Sequence, residues 1–163
     1  MHYTGPTYRP PFEAGSLLLQ ATVGCSHNKC SFCTMYRDVP FSVCPEEQVE
    51  ADIDEAARRF GNATRVFLEN GDAFVLSADR LAKIAGSIRA KLPKVETITM
   101  YASILNIRTK TDEELRFLRE LGINELNIGV ESGLDEALTL LNKTYTASEA
   151  RDELLRLKAA GFD

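Results

Sequence analysis

The stretch SLLLQATVGCSHNKCSFC, residues 16–33, joins an apolar run to a loop that holds three of the chain's four cysteines. The apolar residues 17–23 predict a buried strand that leads directly into Cys25. Cys30 and Cys33 follow after gaps of four and two residues. Three thiols so close together are one short of a closed tetrahedral metal site, which raises the question of what fills the fourth position.

Downstream of this loop, short apolar runs alternate with stretches of helical pattern. Capping signals support the helices: Thr111 and Glu114 stand at capping-box spacing, and so do Thr146 and Glu149. Four strand–helix units in alternation predict an α/β fold, with parallel (βα) repeats forming part of a TIM-type barrel. Further strands are predicted at 64–70, 96–103 and 125–131, and helices at 45–60, 77–92, 111–122 and 134–160, the last broken near Tyr145.

The first fifteen residues differ in character from the remainder. Residues 1–15 contain three prolines and no regular periodicity, which predicts an extended N-terminal arm. Residues 16–163 are predicted to form the barrel portion.

Composition narrows the classes of function. Apolar residues make up 44% and charged residues 26% of the 163 residues, which is typical of a globular domain. The formal charge of −5 and the absence of basic clusters give no electrostatic reason to expect nucleic acid. No stretch is apolar and long enough to span a membrane, so a cytoplasmic protein is expected. Disulfides are rare there, and clustered cysteines more often bind metal or do redox work.

Polar and reactive residues stand where the predicted strands end. In parallel barrels, ligands bind beyond the C-terminal ends of the strands, so these side chains are expected around one site. Alternation along the third and fourth predicted strands directs Tyr101, Ser103 and Glu131 toward the barrel axis. The residues at the four strand ends are Cys25; Asn70, Gly71 and Asp72; Tyr101 and Ser103; and Glu131.

Spacing alone leaves the chemistry of the three thiols open. They fit a zinc site in which Cys44 or His27 supplies the fourth ligand. They fit equally an iron–sulfur cluster held by three thiolates, with one iron left open. A simple redox pair leaves Cys25 unexplained.

Three segments together resemble the radical S-adenosylmethionine (radical SAM) superfamily. The loop CSHNKCSFC, residues 25–33, resembles its cysteine triad, with Phe32 at the aromatic position and a first gap of four residues instead of three. FLENGDAF, residues 67–74, takes the place of the family's glycine-rich motif. IGVESGLDEALTLLNKTYT, residues 128–146, resembles a segment of the tRNA-modifying, porphyrin-oxidising and B12-associated members.

This resemblance implies a function and its cofactors. Cys25, Cys30 and Cys33 would hold a [4Fe–4S] cluster whose open iron binds SAM. Reductive cleavage of SAM would give a 5′-deoxyadenosyl radical that abstracts hydrogen from a substrate. The electron would come from a low-potential donor such as flavodoxin or ferredoxin.

The resemblance also implies contacts to SAM. Phe32 would lie near the adenine, although it could be a plain core residue. The turn of Asn70, Gly71 and Asp72 would approach the methionine amino group, although Asp72 could instead cap its own turn. Glu131 would accept from the ribose or the amine, and Lys143 would meet the carboxylate unless it is a solvated helix-end lysine.

The extent of the chain raises a further expectation. Radical SAM cores usually have six strand–helix units, and four are predicted here. We expect either the N-terminal portion of a longer barrel or self-association of copies through open sheet edges. The alternative function is a non-catalytic zinc or iron–sulfur binding module.

Overall fold

A four-stranded parallel sheet organises the protein, for which a computed structural model describes residues 1–162; Asp163, the last residue of the predicted barrel portion, lies outside them. The sheet has the order β1-β4-β5-β6, and a short antiparallel hairpin, β2 with β3, follows the first strand. The strands are β1 (Leu17–Gln20), β2 (Thr22–Val23), β3 (Ser42–Val43), β4 (Arg65–Glu69), β5 (Thr97–Ala102) and β6 (Ile123–Ile128).

Helices connect the parallel strands and cover one face of the sheet. They are α1 (Glu46–Arg59), α2 (Ala78–Lys91), α3 (Ile104–Arg108), α4 (Asp112–Glu120), α5 (Asp135–Leu140) and α6 (Ala147–Ala160). Both predicted capping boxes are present, at the start of α4 and of α6. The alternation of strands and helices confirms the predicted partial barrel. Among residues 1–162 no helix is long and apolar enough to cross a membrane.

The hydrophobic core lies between the sheet and these helices. Alternate residues of β4 and β5, such as Leu68 and Met100, are fully buried there. Ile53 of α1 and Leu81 of α2 pack into the same cluster. Burial of these side chains supplies the main driving force for the layered fold.

The other face of the sheet is more polar and forms the interior of the partial barrel. At its N-terminal end, Arg65 donates to Glu13 (2.7 and 3.0 Å) and to Glu125 (2.9 Å). Glu13 is completely buried, and it belongs to the segment predicted as an extended arm. Within that segment Thr4 also exchanges two hydrogen bonds with Gln20 of β1. Residues 1–15 are therefore tied to the sheet at both ends.

The fourth parallel strand differs from its predicted bounds of 125–131. It begins at Ile123, directly after Gly122 turns the chain with φ 94°, and it ends at Ile128. The amide of Val130 bonds to the carbonyl of Ile128, and that of Ser132 to Val130. These local bonds replace the sheet ladder. Glu131 thus lies in a turn, and the strand alternation used to orient it does not extend to its position.

Candidate functional site

One cavity of about 420 Å³ opens at the C-terminal ends of the parallel strands. All three cysteines of the triad line it. The fold therefore brings together ten of the eleven predicted site residues, and Asn70 is the exception. The other predicted residues in its lining are Phe32, Gly71, Asp72, Tyr101, Ser103, Glu131 and Lys143.

The thiol loop packs directly against the turn that follows β4. The amide of Gly71 donates to the carbonyl of Gly24 at 3.1 Å. A Cβ atom at Gly71 would stand 2.6 Å from the Tyr36 ring and 2.9 Å from the Cβ of Cys25. A larger residue therefore has no room, and the absence of a side chain allows this close approach.

Asp72 links the thiol loop to helix α3. Its Oδ2 accepts hydrogen bonds from the hydroxyl of Ser26 (2.9 Å) and from the side-chain amide of Asn106. Its Oδ1 is buried and has no hydrogen-bond partner among the described residues. Burial raises the pKa of this carboxyl, although its hydrogen bonds oppose the change. One carboxylate oxygen is thus held in place while the other is free to accept.

Asn70 does not line the cavity. Its side chain is fully buried, and its Nδ2 donates to the carbonyl of Thr22 at 3.1 Å. This bond joins the end of β4 to the start of the hairpin. Asn70 therefore holds the turn after β4 in place but does not itself contact the cavity.

Glu131 and Lys143 form an ion pair at the cavity wall. Lys143 Nζ lies 3.3 Å from Glu131 Oε1 and donates to the carbonyl of Gly129 at 3.1 Å. It also lies 5.6 Å from the centroid of the Phe32 ring. Burial alone would lower the pKa of Lys143. The nearby acidic groups Tyr145, Cys30 and Glu131 outweigh this effect and raise the pKa. Glu131 lines the cavity, and its backbone takes the left-handed φ of 69°.

Strand β5 contributes the polar side chains that alternation predicted. Tyr101 lines the cavity and meets the Phe67 ring edge-on at 5.4 Å. Ser103 also lines the cavity, but its hydroxyl caps α3 by accepting from the amide of Asn106 at 3.3 Å. Asn127 of β6 joins them and donates to the hydroxyl of Thr99 at 3.1 Å.

Several residues of the site escaped sequence reasoning. Ser26 and Asn106 hold Asp72, and Tyr36 and Tyr145 line the cavity. Asn106 lies on α3, a five-residue helix too short to leave a periodic pattern. Asn127 was not among the predicted site residues, although the alternation of the fourth strand directs it toward the barrel axis, as observed.

The thiols themselves have distinct surroundings. Burial raises the pKa of the Cys25 thiol, and the nearby Asp72 carboxylate raises it further. Cys44 lies outside the cavity lining and packs against the hydrophobic core. Among residues 1–162, no three His, Cys, Asp or Glu side chains are gathered closely enough to hold a single metal ion.

The sequence matches the radical SAM superfamily over residues 19–163, and the chain therefore belongs to that superfamily. It is 24% identical over 139 residues to the heme chaperone HemW of Lactococcus lactis subsp. lactis (strain IL1403), covering 82% of this chain and 36% of HemW. The chain thus spans about a third of the length of that curated relative.

Solved structures show the same fold. The cobalamin-dependent radical SAM enzyme OxsB, with aqua-cobalamin and SAM bound, superposes with a TM-score of 0.68 at 21% identity, over 91% of this chain and 23% of OxsB. Coproporphyrinogen III oxidase HemN from Escherichia coli gives 0.61 at 16% identity, over 90% of this chain and 35% of HemN. At these identities the likeness concerns the fold.

The cavity fits the cofactors associated with this superfamily. Three thiols on one loop provide the donor set of a cluster with one iron left open. Beside them, the free Oδ1 of Asp72 can accept from an ammonium group, and Lys143 can meet a carboxylate. Buried acceptors without partners are uncommon in native structures, and Asp72 is explained if a ligand supplies the donor.

Proposed function

We propose that this chain carries the cofactor site of a radical SAM enzyme, in which Cys25, Cys30 and Cys33 hold a [4Fe–4S] cluster and the same cavity binds SAM. One observation carries the proposal: the three thiols share a cavity with a buried carboxylate oxygen that has no partner and with a lysine. When bound, the cluster supplies the electron that cleaves SAM to methionine and a 5′-deoxyadenosyl radical, which abstracts hydrogen from the substrate.

The residues of the chain bind and orient the cofactor. Asp72 accepts from the methionine ammonium through Oδ1, while Ser26 and Asn106 fix its other oxygen. Gly71 lets the backbone approach, and the buried Asn70 braces the turn.

The opposite wall would hold the remaining groups of SAM. Lys143 meets the carboxylate, and Glu131 accepts from the ribose hydroxyls. Phe32, which is 51% exposed at the mouth, offers its ring to the adenine. Tyr101 and Ser103 are candidates for contact with the cofactor or the substrate. The partners of the protein would be that unidentified substrate and a low-potential electron donor such as flavodoxin or ferredoxin. The protein would act in the cytoplasm, where thiols stay reduced.

The test is cluster assembly in cysteine variants. After anaerobic reconstitution, Cys25→Ala, Cys30→Ala and Cys33→Ala should each lose the four-iron cluster, measured as iron and sulfide per chain and by electron paramagnetic resonance. Cys44→Ala is the matched control and should keep it, because Cys44 lies outside the cavity. A normal cluster in a triad variant, or its loss in the control, contradicts the ligand assignment.

The second candidate is a binding module without catalysis. The relative from Lactococcus lactis is named a heme chaperone, and a zinc or iron–sulfur site can also be purely structural. Stoichiometric zinc in the colourless purified protein would favour this reading. Broad absorbance near 400 nm and a reducible cluster would favour the enzyme.

A further inference from the structure

A set of four hydrogen bonds joins the thiol loop to the turn after α5, more than a hundred residues away in sequence. Ser31 donates from its amide to the carbonyl of Leu141 (3.2 Å) and from its hydroxyl to that of Leu140 (2.8 Å). We call this set the loop clamp. It consists of His27, Lys29 and Ser31 on the loop and Leu140, Leu141 and Asn142 on the turn.

Asn142 takes part in two of the four bonds. Its carbonyl lies 3.0 Å from His27 Nε2, and because a carbonyl only accepts, this ring nitrogen carries the hydrogen. Its own Nδ2 donates to the carbonyl of Lys29 at 2.7 Å. His27 therefore binds the backbone of Asn142, and Lys29 binds its side chain.

The clamp satisfies groups that the helix leaves open. The last carbonyls of a helix find no donor within the helix. At the end of α5, Ser31 donates hydrogen bonds to the carbonyls of Leu140 and Leu141. Asn142 has φ 56°, a left-handed conformation that asparagine tolerates better than most residues. Each clamp residue on the loop lies between two cysteines of the triad.

Two of the clamp residues on the loop lie in the first gap of the triad. The first gap of the triad, residues 26–29, is one residue longer than the spacing usual in the superfamily. This gap contains His27 and Lys29, the two residues that bind Asn142. Lys143 follows Asn142 directly and pairs with Glu131 in the cavity wall. A single peptide unit therefore joins the loop clamp to the ion pair of the cavity wall.

We propose that His27 and Asn142 are positioning residues that couple the thiol loop to Lys143, so that the conformation of the loop sets the place of Lys143 in the cavity wall and with it the affinity for SAM. The inference rests on the proposed function and adds two residues that position its cofactor site.

The decisive variant is Asn142→Gly, because glycine keeps the left-handed backbone and removes only the side-chain bond to Lys29. We expect it to load four irons per chain but to bind SAM measurably more weakly, by up to about tenfold, because the worth of the lost Asn142–Lys29 hydrogen bond sets the upper limit. The change that SAM causes in the paramagnetic resonance spectrum of the reduced cluster should shrink accordingly. Glu136→Gln, exposed on the preceding helix α5 and outside the clamp, is the matched control and should match the parent.

Two further measurements separate the coupling from a general loss of structure. His27→Ala should weaken SAM binding similarly, and His27→Gln should restore part of it, since its amide can donate to Asn142. In the metal-free protein, Asn142→Gly should speed amide hydrogen exchange at Ser31 and leave the core strands protected. A parent that loads no cluster or binds no SAM overturns the proposed function and the coupling with it. A parent that binds both, with Asn142→Gly binding SAM equally tightly, overturns the coupling alone.

Discussion

Glu69 is a carboxylic acid that the fold buries without compensation. It is fully inaccessible, and neither of its oxygens has a hydrogen-bond partner among the described residues. Burial raises its pKa to about 7, with Arg9 opposing the change only weakly. The folded protein therefore holds this proton more tightly than the unfolded chain does, and stability should fall as the pH rises from about 5 through 7.

Glu69→Gln should remove this pH dependence. A pKa rise from 4.5 to about 7 corresponds to about 3 kcal/mol, which the parent loses as the pH rises from about 5 through 7. The difference in unfolding free energy between variant and parent should thus shift in favour of the variant between pH 5 and pH 8. Urea denaturation at each pH measures it, with the exposed Glu120→Gln as control. An identical pH profile for Glu69→Gln and the parent would rule out a neutral buried carboxyl at this site.

Glu131 and its neighbour Val130 give a second residue-level prediction. If the Glu131 carboxylate contacts SAM, Glu131→Ala should keep the cluster and weaken SAM binding by about ten- to a hundredfold, the worth of one charge-assisted hydrogen bond. Val130→Ala should lower stability and leave the affinity nearly unchanged, because Val130 packs against the core. Titration of the reconstituted protein with SAM distinguishes them. The reverse pattern would show that the turn faces the other way.

Single residues also show where sequence reasoning succeeds and where it stops. The places of the cysteine triad and of Gly71 at the cavity could be predicted from the sequence. Three clustered thiols and a close approach of the backbone each require specific residue types. Asp72 was readable only in part: its position after a strand predicted a site role, but its partners Ser26 and Asn106 come from distant segments. Glu69 carried no signal, since its burial is decided by how the thiol loop and N-terminal segment cover the strand end.

At the scale of elements, helix α6 illustrates how local signals fix boundaries. Thr146 and Glu149 form the capping box expected from their spacing: the Thr146 hydroxyl accepts from the Glu149 amide at 3.2 Å, and the Glu149 carboxylate accepts from the Thr146 amide at 2.7 Å. Gly161 ends the helix with φ 89°. Both ends of α6 depend on residues only a few positions apart, so the sequence alone predicts them.

Loss of the cap should destabilise the whole fold, because α6 packs against α3 and α4. Thr146→Ala should lower the free energy of unfolding by about 1 kcal/mol, which shifts Tm by about 2–4 °C. Thermal unfolding followed by circular dichroism measures this shift. Ser148→Ala, exposed in the first turn of the same helix, should leave Tm nearly unchanged. Equal effects of the two substitutions would mean that the cap contributes nothing.

Elements whose form depends on distant partners were missed or misplaced. The hairpin of β2 and β3 pairs Thr22 with Val43 across the whole thiol loop. No turn signal or alternation near either strand predicts this pairing. The end of β6 moved to Ile128 because residues 129–132 bond locally instead of to the sheet. Alternation therefore predicted the inward face of β5 and β6 correctly, while the place of Glu131 depended on a turn.

At the scale of the whole molecule, β6 ends the parallel sheet among residues 1–162. An unpaired edge of a parallel sheet offers hydrogen-bonding groups to other chains. We propose that the 163-residue chain self-associates through this edge, so its mass by light scattering should rise with concentration. A stable monomer at high concentration would contradict this.

We propose that SAM is cleaved reductively in this cavity, and analysis of the products is the decisive measurement. The reconstituted protein is reduced anaerobically with SAM, and 5′-deoxyadenosine and methionine are quantified by liquid chromatography with mass spectrometry. The parent should yield equal amounts of both products, and Cys30→Ala should yield neither. A parent that carries four irons per chain and binds SAM, yet yields no 5′-deoxyadenosine, would contradict it.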